Sequence, residues 1–513
     1  MNKVERWKFN RPEVLNIVDN PTLTVDLIIT CRNSQVKLDL ALAALSVQNY
    51  PEDLIHVHIV DDGSLPKLTM PPIHPKNSTL HYYENEGGNW GKSKSTNSVA
   101  RKSKADVLWF LDSDMIVEPS HLSHHMKWHH LGTDYVVLGW KKFVEDWSYD
   151  PHSLATSIKG GNFLKLHSDG VNHGYWEARV VSSNEFRSDD LENFRALVGA
   201  TFSLSNENWQ SLGGYDENFI TSEDTELGWR CILQGLRFVP ERDALSWHLG
   251  LTTIENNRDV ILSHNNPLLA NKIPALSHLR RKGGLEWDVP ENEFLIDCRL
   301  MTIDSFFAFI QPLLKDVQGQ SKFRLLANWP MLTNRYSPTD DQYKDLREIQ
   351  RWCESDEKFK FETVSKDSYL KIDEILELIL IKSTPFYFFA EGNLKSGIEA
   401  QQLKTSLLQS GNGLEGIVDN GDQRFFVAYA PAISTAKRTA GSTYKNLEES
   451  WGVKWHSLED FQVTKKPLLL RSLLFIRYCF RRVIQVKSFD QLKDLLRRGF
   501  MVYKDKILKE DQD

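Results

Sequence analysis

The sequence predicts an α/β protein, with a largely parallel sheet in its first half and a second α/β domain in its second half. Three observations point there. From Val25 onward, short β-branched runs alternate with helical patterns. Two of the strand candidates run straight into acids, Asp61-Asp62 and Asp112-Ser113-Asp114. After a stretch punctuated by Pro267, Pro274 and Gly283-Gly284, the alternation resumes.

Taken in order, Val25 to Ile29 reads as a buried strand, Leu38 to Gln48 as a helix and His56 to Val60 as a second strand. Thr79 to Tyr83 is a third strand candidate, Ser95 to Arg101 a helix, and Val107 to Leu111, apolar throughout, a fourth strand. An aromatic-rich stretch then leads to Gly213-Gly214-Tyr215-Asp216-Glu217, to a helix opening on Glu223-Asp224 and running through Gly235, and to Trp247-His248. The region from about Val260 to Gly284 reads as a connection. Beyond it, Phe294 to Ile296, Phe323 to Leu326, Phe359 to Val364 and Phe386 to Ala390 are strand candidates. The last of these resembles the run ending at Leu111, but has Ala390-Glu391-Gly392 where the first half has Asp112-Ser113-Asp114. The second half therefore reads as a repeat that has lost its acids, or as an unrelated accessory domain.

A chain of 513 residues exceeds what one hydrophobic core fills, so several domains are expected. The boundaries drawn are 1–265, a connection over 266–290, a second domain over 291–464 and a tail over 465–513. A net charge of -7 gives no support to a nucleic-acid binder, whose footprint is an excess of Lys and Arg. The five cysteines have no paired spacing, which points to a reducing compartment. The opening residues lack the apolar run of a signal peptide, and no apolar stretch of about 18 residues occurs, so a cytoplasmic protein is expected.

In parallel sheets, ligands bind beyond the carboxyl ends of the strands, which is where the acids fall. Two carboxylates around one residue, as in Asp112-Ser113-Asp114, suit a hard cation such as Mn2+ or Mg2+ held against a diphosphate. On its own the pattern is equally that of a loop or a helix cap. The Glu223-Asp224 pair opens a helix, where acids also complement the positive end of the helix dipole.

The order of the pieces is more specific. Ile28-Ile29-Thr30, Val60-Asp61-Asp62-Gly63-Ser64, Gly91-Lys92, Asn97, Phe110-Leu111-Asp112-Ser113-Asp114, Gly213-Gly214-Tyr215-Asp216-Glu217 and Glu223-Asp224-Thr225-Glu226-Leu227 together resemble glycosyltransferase family 2 over about residues 22–255. The glycine-glycine-tyrosine stretch is most similar to the branch of chondroitin polymerases and polypeptide N-acetylgalactosaminyltransferases. The resemblance implies a GT-A fold, a Rossmann-like and mostly parallel sheet, and the second α/β domain is then either an accessory domain or a degenerate GT-A repeat. It implies an inverting, metal-dependent hexosyl- or N-acetylhexosaminyltransferase that moves a sugar from a UDP-sugar to a hydroxyl of a glycan or lipid-linked glycan, in bacterial surface polysaccharide assembly.

By the same resemblance, Thr30, Arg32, one acid of the Asp61-Asp62 pair, Lys92, Asp112 and Ser113 contact the donor. Asp112, Asp114 and His248 hold the metal, and Asp224, with Glu223 beside it, is the base that takes the proton of the acceptor hydroxyl. Trp140 and Trp176 are expected in an acceptor wall, because aromatic faces suit sugar rings. A non-catalytic nucleotide-sugar or glycan-binding subunit is the alternative, and a sugar-1-phosphate nucleotidyltransferase is disfavoured because Thr30-Cys31-Arg32-Asn33 is not a glycine-rich loop.

Three further patterns are weighed and set aside or left open. Gly91-Lys92-Ser93 ends like a P-loop but has Glu86 where that motif needs glycine. His121, His124, His125, His129 and His130 read as the solvated face of a helix. Asp189, Asp190 and Glu192 read as a charged loop. The tail from Pro467 to Val486 forms a basic amphipathic helical pattern that either docks on its own domain or contacts the inner face of a membrane peripherally.

Overall fold

The computed structural model describes residues 12–457 except for 13, 85–90, 146–147, 168–169, 188–190, 251–257, 281–288, 316–320, 334–335, 366–368, 383, 392–397 and 419–423. Strands β1 (Val25–Cys31), β2 (Ile55–Asp61), β3 (Ser78–Tyr82), β4 (Val107–Leu111), β5 (Met115–Val117), β6 (Tyr135–Val144), β7 (Val171–Asn172), β8 (Thr201–Ser205) and β9 (Arg237–Leu249) form a sheet in the order β3-β2-β1-β4-β8-β6-β9-β5, with β7 on β6. The strands β3-β2-β1-β4 are parallel neighbours, and β8 joins β4 antiparallel.

Strand alternation explains how this sheet is held. Leu27 and Ile29 face one core, with Leu38 and Leu42 of the helix Gln35–Leu45 and with Trp109. Ile28 faces the other, with Phe110, Phe202 and Trp209. Phe110 lies 4.8 Å from Phe202 and 4.4 Å from Trp209, ring to ring. Both faces of β4 are therefore buried, as its uniformly apolar sequence requires.

A second sheet comprises β10 (Asn292–Asp297), β11 (Ser321–Ala327), β12 (Phe359–Thr363), β13 (Phe386–Glu391), β14 (Leu414–Val418), β15 (Arg424–Tyr429) and β16 (Val453–Ser457), in the order β12-β11-β10-β13-β15-β14-β16. Its first six strands repeat β3-β2-β1-β4-β8-β6 in order and direction. The register repeats as well. Val25 lies opposite both Ile55 and Val107, as Asn292 lies opposite both Ser321 and Phe386. Val57 faces Ser78 as Phe323 faces Phe359, and Val107 faces Ser205 as Phe386 faces Tyr429.

Counting along these ladders places Glu391, not Ala390, at the position of Asp112, so the sequence comparison was one residue out of register. There Glu391 is closed off by Arg424, whose Nε and Nη2 donate to its two oxygens at 2.5 and 2.9 Å. Phe294 of this sheet stacks on Phe388 at 4.5 Å and on Phe323 at 5.4 Å, an aromatic row across three strands.

Two expectations about the connecting regions need correction. The stretch read as a connection is helical over Arg258–Lys272, with Pro267 inside the helix, and continues as a 3-10 turn over Pro274–Leu279. Asn265 is buried there and donates to Thr221 O at 3.0 Å, so the segment is fastened beside Glu223 and the boundary drawn at 265 cuts through it. The histidines are not a solvated face. On the helix His121–Leu131, residues His121, His125 and His129 recur every fourth position and point into the core, because β8 offers them hydroxyls. Ser203 Oγ lies 2.8 Å from both His125 Nδ1 and His129 Nε2, and Thr201 Oγ1 lies 2.9 Å from His121 Nε2.

The two sheets pack within one compact unit that extends to Trp455. Ser434 donates to Leu233 O at 2.9 Å, and Arg438 pairs with Asp134 at 2.8 Å. Among the described residues no helix is long and apolar enough to cross a membrane. Asp189, Asp190 and the basic pattern over 467–486 lie outside the described residues.

Candidate active site

The acids of the first sheet converge beyond the carboxyl ends of β1, β2 and β4. Asp61 closes β2 and is buried, with one carboxylate oxygen accepting from Ser64 N at 2.8 Å and the other from Leu68 N at 2.9 Å. It therefore shapes the loop that follows. Asp62 accepts from Gly91 N at 2.9 Å, at the start of the helix Lys92–Ala100. Thr30 Oγ1 meets Thr96 Oγ1 of the same helix at 2.8 Å, and Arg32, two residues on, is half-buried.

That helix delivers Lys92 between two acids. Its Nζ lies 2.8 Å from Asp112 Oδ1 and 3.6 Å from Glu223 Oε1. Burial works against the charge on Lys92, but the two carboxylates outweigh it and hold the ammonium well above its ordinary value. Burial likewise opposes ionisation of Asp112, and Lys92 reverses this, so its carboxyl stays below the usual range. Glu223 differs: burial dominates, only partly relieved by Lys92, and lifts its carboxyl to about 7.

The turn from β4 into β5 brings the third component. Met115 of β5 pairs with His248 of β9, and Leu249 N donates to Asp114 O at 3.0 Å, so the histidine is set against the acids by strand register. His248 Nε2 lies 3.6 Å from Asp114 Oδ1, and one donor atom each from Asp112, Asp114 and His248 falls within 4.8 Å of the others. His248 Nδ1 donates to Gly250 O at 2.8 Å, which leaves a lone pair on Nε2, facing the acids. Burial keeps this imidazole below its ordinary value, although Asp114 pulls the other way. Two carboxylates and a neutral imidazole are a donor set that fits Mn2+ or Mg2+. Ser113, between the acids, hydrogen-bonds the Cys31 side chain.

Asp224 is half-buried at the start of the helix Glu223–Leu233, where Ser222 takes a positive φ of 67°. Asp224 Oδ2 accepts from Gly199 N at 2.9 Å and Oδ1 from Thr225 N at 2.7 Å. Gly199 adjoins Ala200, whose carbonyl accepts from Asp112 N at 3.0 Å, so one short segment ties the two acidic motifs together. A Cβ on Gly199 would lie 3.3 Å from Lys92 Nζ and 3.6 Å from Asp224 Oδ2, which is why glycine suits that position.

Residues 26–182 match the family model described as Glycosyl transferase family 2. Over that stretch the chain is similar to family 2 glycosyltransferases. Its sheet, with a parallel core and antiparallel additions, is the GT-A architecture expected, and the second sheet is a second α/β unit. The uncharacterized glycosyltransferase YfnE of Bacillus subtilis (strain 168) is 26% identical over 260 residues, covering 44% of this chain and 64% of the relative. The chain thus spans less than two thirds of the length of that relative. Among solved structures, the mannosyltransferase PcManGT from Pyrobaculum calidifontis, in complex with GDP-Man and Mn2+, is 15% identical with a TM-score of 0.34, covering 53% of this chain and 69% of that one. S. aureus TarS 1-349 in complex with UDP is 15% identical with a TM-score of 0.31, covering 50% and 68%.

Several residues of this glycosyltransferase domain escaped the sequence reading. Lys37, from the helix Gln35–Leu45, places Nζ 3.1 Å from Asp114 Oδ2 and 2.6 Å from Leu249 O. Nothing in its surroundings in sequence marks it, and Gly199 is equally inconspicuous. The glycine-glycine-tyrosine motif proves to be a dock. Asn97 donates to Tyr215 O at 2.9 Å and accepts from Tyr215 N at 3.0 Å, with Gly214 at φ 76° packed so close that a Cβ would lie 2.6 Å from Asn97 Oδ1. Trp140 and Trp176 do not form an open acceptor wall. They are 7% and 5% exposed, meet edge to face at 5.0 Å, and Trp176 Nε1 donates to Ala196 O at 2.9 Å, so neither offers a ring face to a sugar.

Proposed function

We propose that this chain transfers a sugar from a UDP-sugar to a hydroxyl of a glycan or lipid-linked glycan, with inversion at the anomeric carbon and with dependence on Mn2+ or Mg2+. The observation that carries this reading is the convergence of Asp112, Asp114 and His248 on one point, with Lys92 and the Glu223-Asp224 pair beside it. In this reading the three residues hold the cation, which supplies positive charge to the departing diphosphate.

The remaining roles follow from position. Asp62 and Arg32, with Thr30, lie along the ends of β1 and β2 and take the nucleoside end of the donor. Asp61 serves them by shaping the loop with both its oxygens. Lys92 steadies Asp112 and faces the sugar or its phosphate. Asp224, oriented by Gly199 N and Thr225 N, receives the proton of the acceptor hydroxyl as that oxygen attacks. Glu223, whose carboxyl is lifted to about 7, places less than a full second negative charge beside the base at neutral pH. Membership of the branch of chondroitin polymerases and polypeptide N-acetylgalactosaminyltransferases rests on the Gly213-to-Glu217 stretch, and a role in surface polysaccharide assembly, at the inner face of the membrane, goes with the lipid-linked acceptor.

The test is UDP release from a panel of UDP-sugars with Mn2+, with and without glycan acceptors, comparing the native chain with Asp224→Asn and Asp112→Ala. Release on one donor, abolished in both variants, is expected. UDP binding without turnover of any donor on any acceptor would instead favour a nucleotide-sugar-binding subunit.

A further inference from the structure

A second cluster of ligating side chains lies on the same sheet, towards the amino ends of its strands. Asp26 of β1, His56 and His58 of β2 and His81 of β3 share one face, as their spacing of two along β2 and their register across the strands require. They line a cavity of about 980 Å³ together with Ser103 and Lys102. His58 Nε2 lies 3.4 Å from Asp26 Oδ1, the His56 and His58 rings stack at 4.1 Å, and one donor atom each from Asp26, His56 and His58 falls within 4.8 Å of the others.

The register-matched positions of the second sheet provide a comparison. There Glu293, Lys322, Arg324 and Glu362 stand where the first sheet has Asp26, His56, His58 and His81. Arg324 bridges the two acids, reaching Glu293 at 3.2 Å and pairing with Glu362. One sheet thus fills the place with a permanent cation. The other offers a carboxylate and imidazoles around a cavity.

We propose that Asp26, His56 and His58 bind a zinc-class cation, Zn2+ being the borderline ion for which one carboxylate and two imidazoles are suitable ligands. Ligands on a tetrahedral ion with bonds of about 2.0 Å lie roughly 3.3 Å apart, so Asp26 and His58 already stand at the right separation, and His56 joins them by a turn of its ring that exchanges its 2.9 Å contact with Thr79 Oγ1 for the ion. The supporting contacts suit the role. Ser103 Oγ donates to Asp26 Oδ2 at 2.5 Å, leaving Oδ1 for the ion. His58 Nδ1 and His81 Nε2 lie 3.0 Å apart, so with an ion on Nε2 the proton of His58 sits on Nδ1 and is donated to His81. The cation pins β1 to β2 at the end of the sheet away from Asp112, which makes it a staple of the fold and separate from the sugar-transfer chemistry.

The experiment is equilibrium dialysis of the full chain against Zn2+ alone, in an Asp112→Asn/Asp114→Asn/Asp243→Asn background that removes acids of the two other clusters able to hold a cation among the described residues, Asp112-Asp114-His248 and His124-Glu241-Asp243. Retention of one equivalent is expected, lost in His58→Ala and in the milder His56→Gln, and weakened about tenfold in His81→Ala. Co2+ in place of Zn2+ should show the visible absorption of a tetrahedral nitrogen-oxygen site, absent in His56→Gln. Thermal unfolding without added metal should be the same for His56→Gln as for its parent, which separates loss of a ligand from loss of the fold. Zinc retention that survives both histidine substitutions, or no retention at all, would overturn the proposal.

Discussion

His248 Nε2 stands 3.6 Å from Asp114 Oδ1 while its Nδ1 donates to Gly250 O at 2.8 Å, so the ring is locked in one tautomer. Removing it should weaken the cation more than it disturbs the fold. For His248→Ala, a Mn2+ titration of UDP release should show the half-saturating concentration rise by about tenfold or more, with excess Mn2+ restoring part of the rate. Unchanged Mn2+ dependence would exclude His248 as a ligand.

Gly199 tests whether the two acidic motifs act as one unit. In Gly199→Ala the added methyl presses on Lys92 Nζ and Asp224 Oδ2, both side-chain ends able to shift. The expected outcome is a turnover loss of about tenfold, below the roughly hundredfold of a 1 Å misplacement because the neighbours give by only a few tenths of an ångström, with a melting temperature close to that of the native chain. Steady-state rates beside a thermal melt decide it.

Glu223 makes stability fall as pH rises. Its carboxyl titrates at about 7 in the folded chain against 4.5 ordinarily, so above pH 4.5 the unfolded chain releases this proton first and the native state loses ground until pH passes 7. Between pH 5.5 and 8.5 the loss from this group should be about 2 kcal/mol. Urea unfolding at the two pH values should show Glu223→Gln losing less stability than the native chain by about that amount.

The buried histidines act in the opposite direction. Burial holds His121 and His129 down at about 3, and His125 well below its ordinary value, so all three stay neutral in the folded chain. Stability from them is whole above pH 6.5 and is lost as pH falls from there, because only the unfolded chain takes up protons. At pH 5 each should cost about 2 kcal/mol. Substituting Gln for His129 should reduce the difference in unfolding free energy between pH 7 and pH 5 by that amount, and an equal difference in both proteins would show that His129 is not buried neutral.

Trp176 should behave as a core residue. Its alanine variant is expected to lose about 3 kcal/mol of stability, while the acceptor KM of the folded fraction stays within about twofold. A large change in KM at unaltered stability would return Trp176 to the acceptor site.

What could be read from the sequence follows the reach of each signal. Apolar runs such as Val107–Leu111 reveal strands because a doubly buried strand needs every position apolar, and the acids at their ends are found by the same logic. Asp112, Asp114, His248, Lys92 and Asp224 were legible through the order of their motifs. Lys37 was not, because its partner Asp114 is 77 positions away and only the helix packing joins them. The histidines were misread for a related reason: a helix rich in imidazoles looks solvated until the hydroxyls of Ser203 and Thr201 are placed opposite. The one-residue slip between Ala390 and Glu391 arose because a short apolar run has no internal marker of register, whereas paired strands do.

The second sheet also serves as a control built into the molecule. It reaches the same six-strand arrangement and register with Glu391 and Arg424 standing where the first sheet has Asp112 and Ala200, and with Ala327 in place of Asp61. The scaffold is therefore indifferent to the acids it displays. Substitutions at Asp112 should leave the first sheet assembled, so that a silent variant reports missing chemistry and not a missing protein.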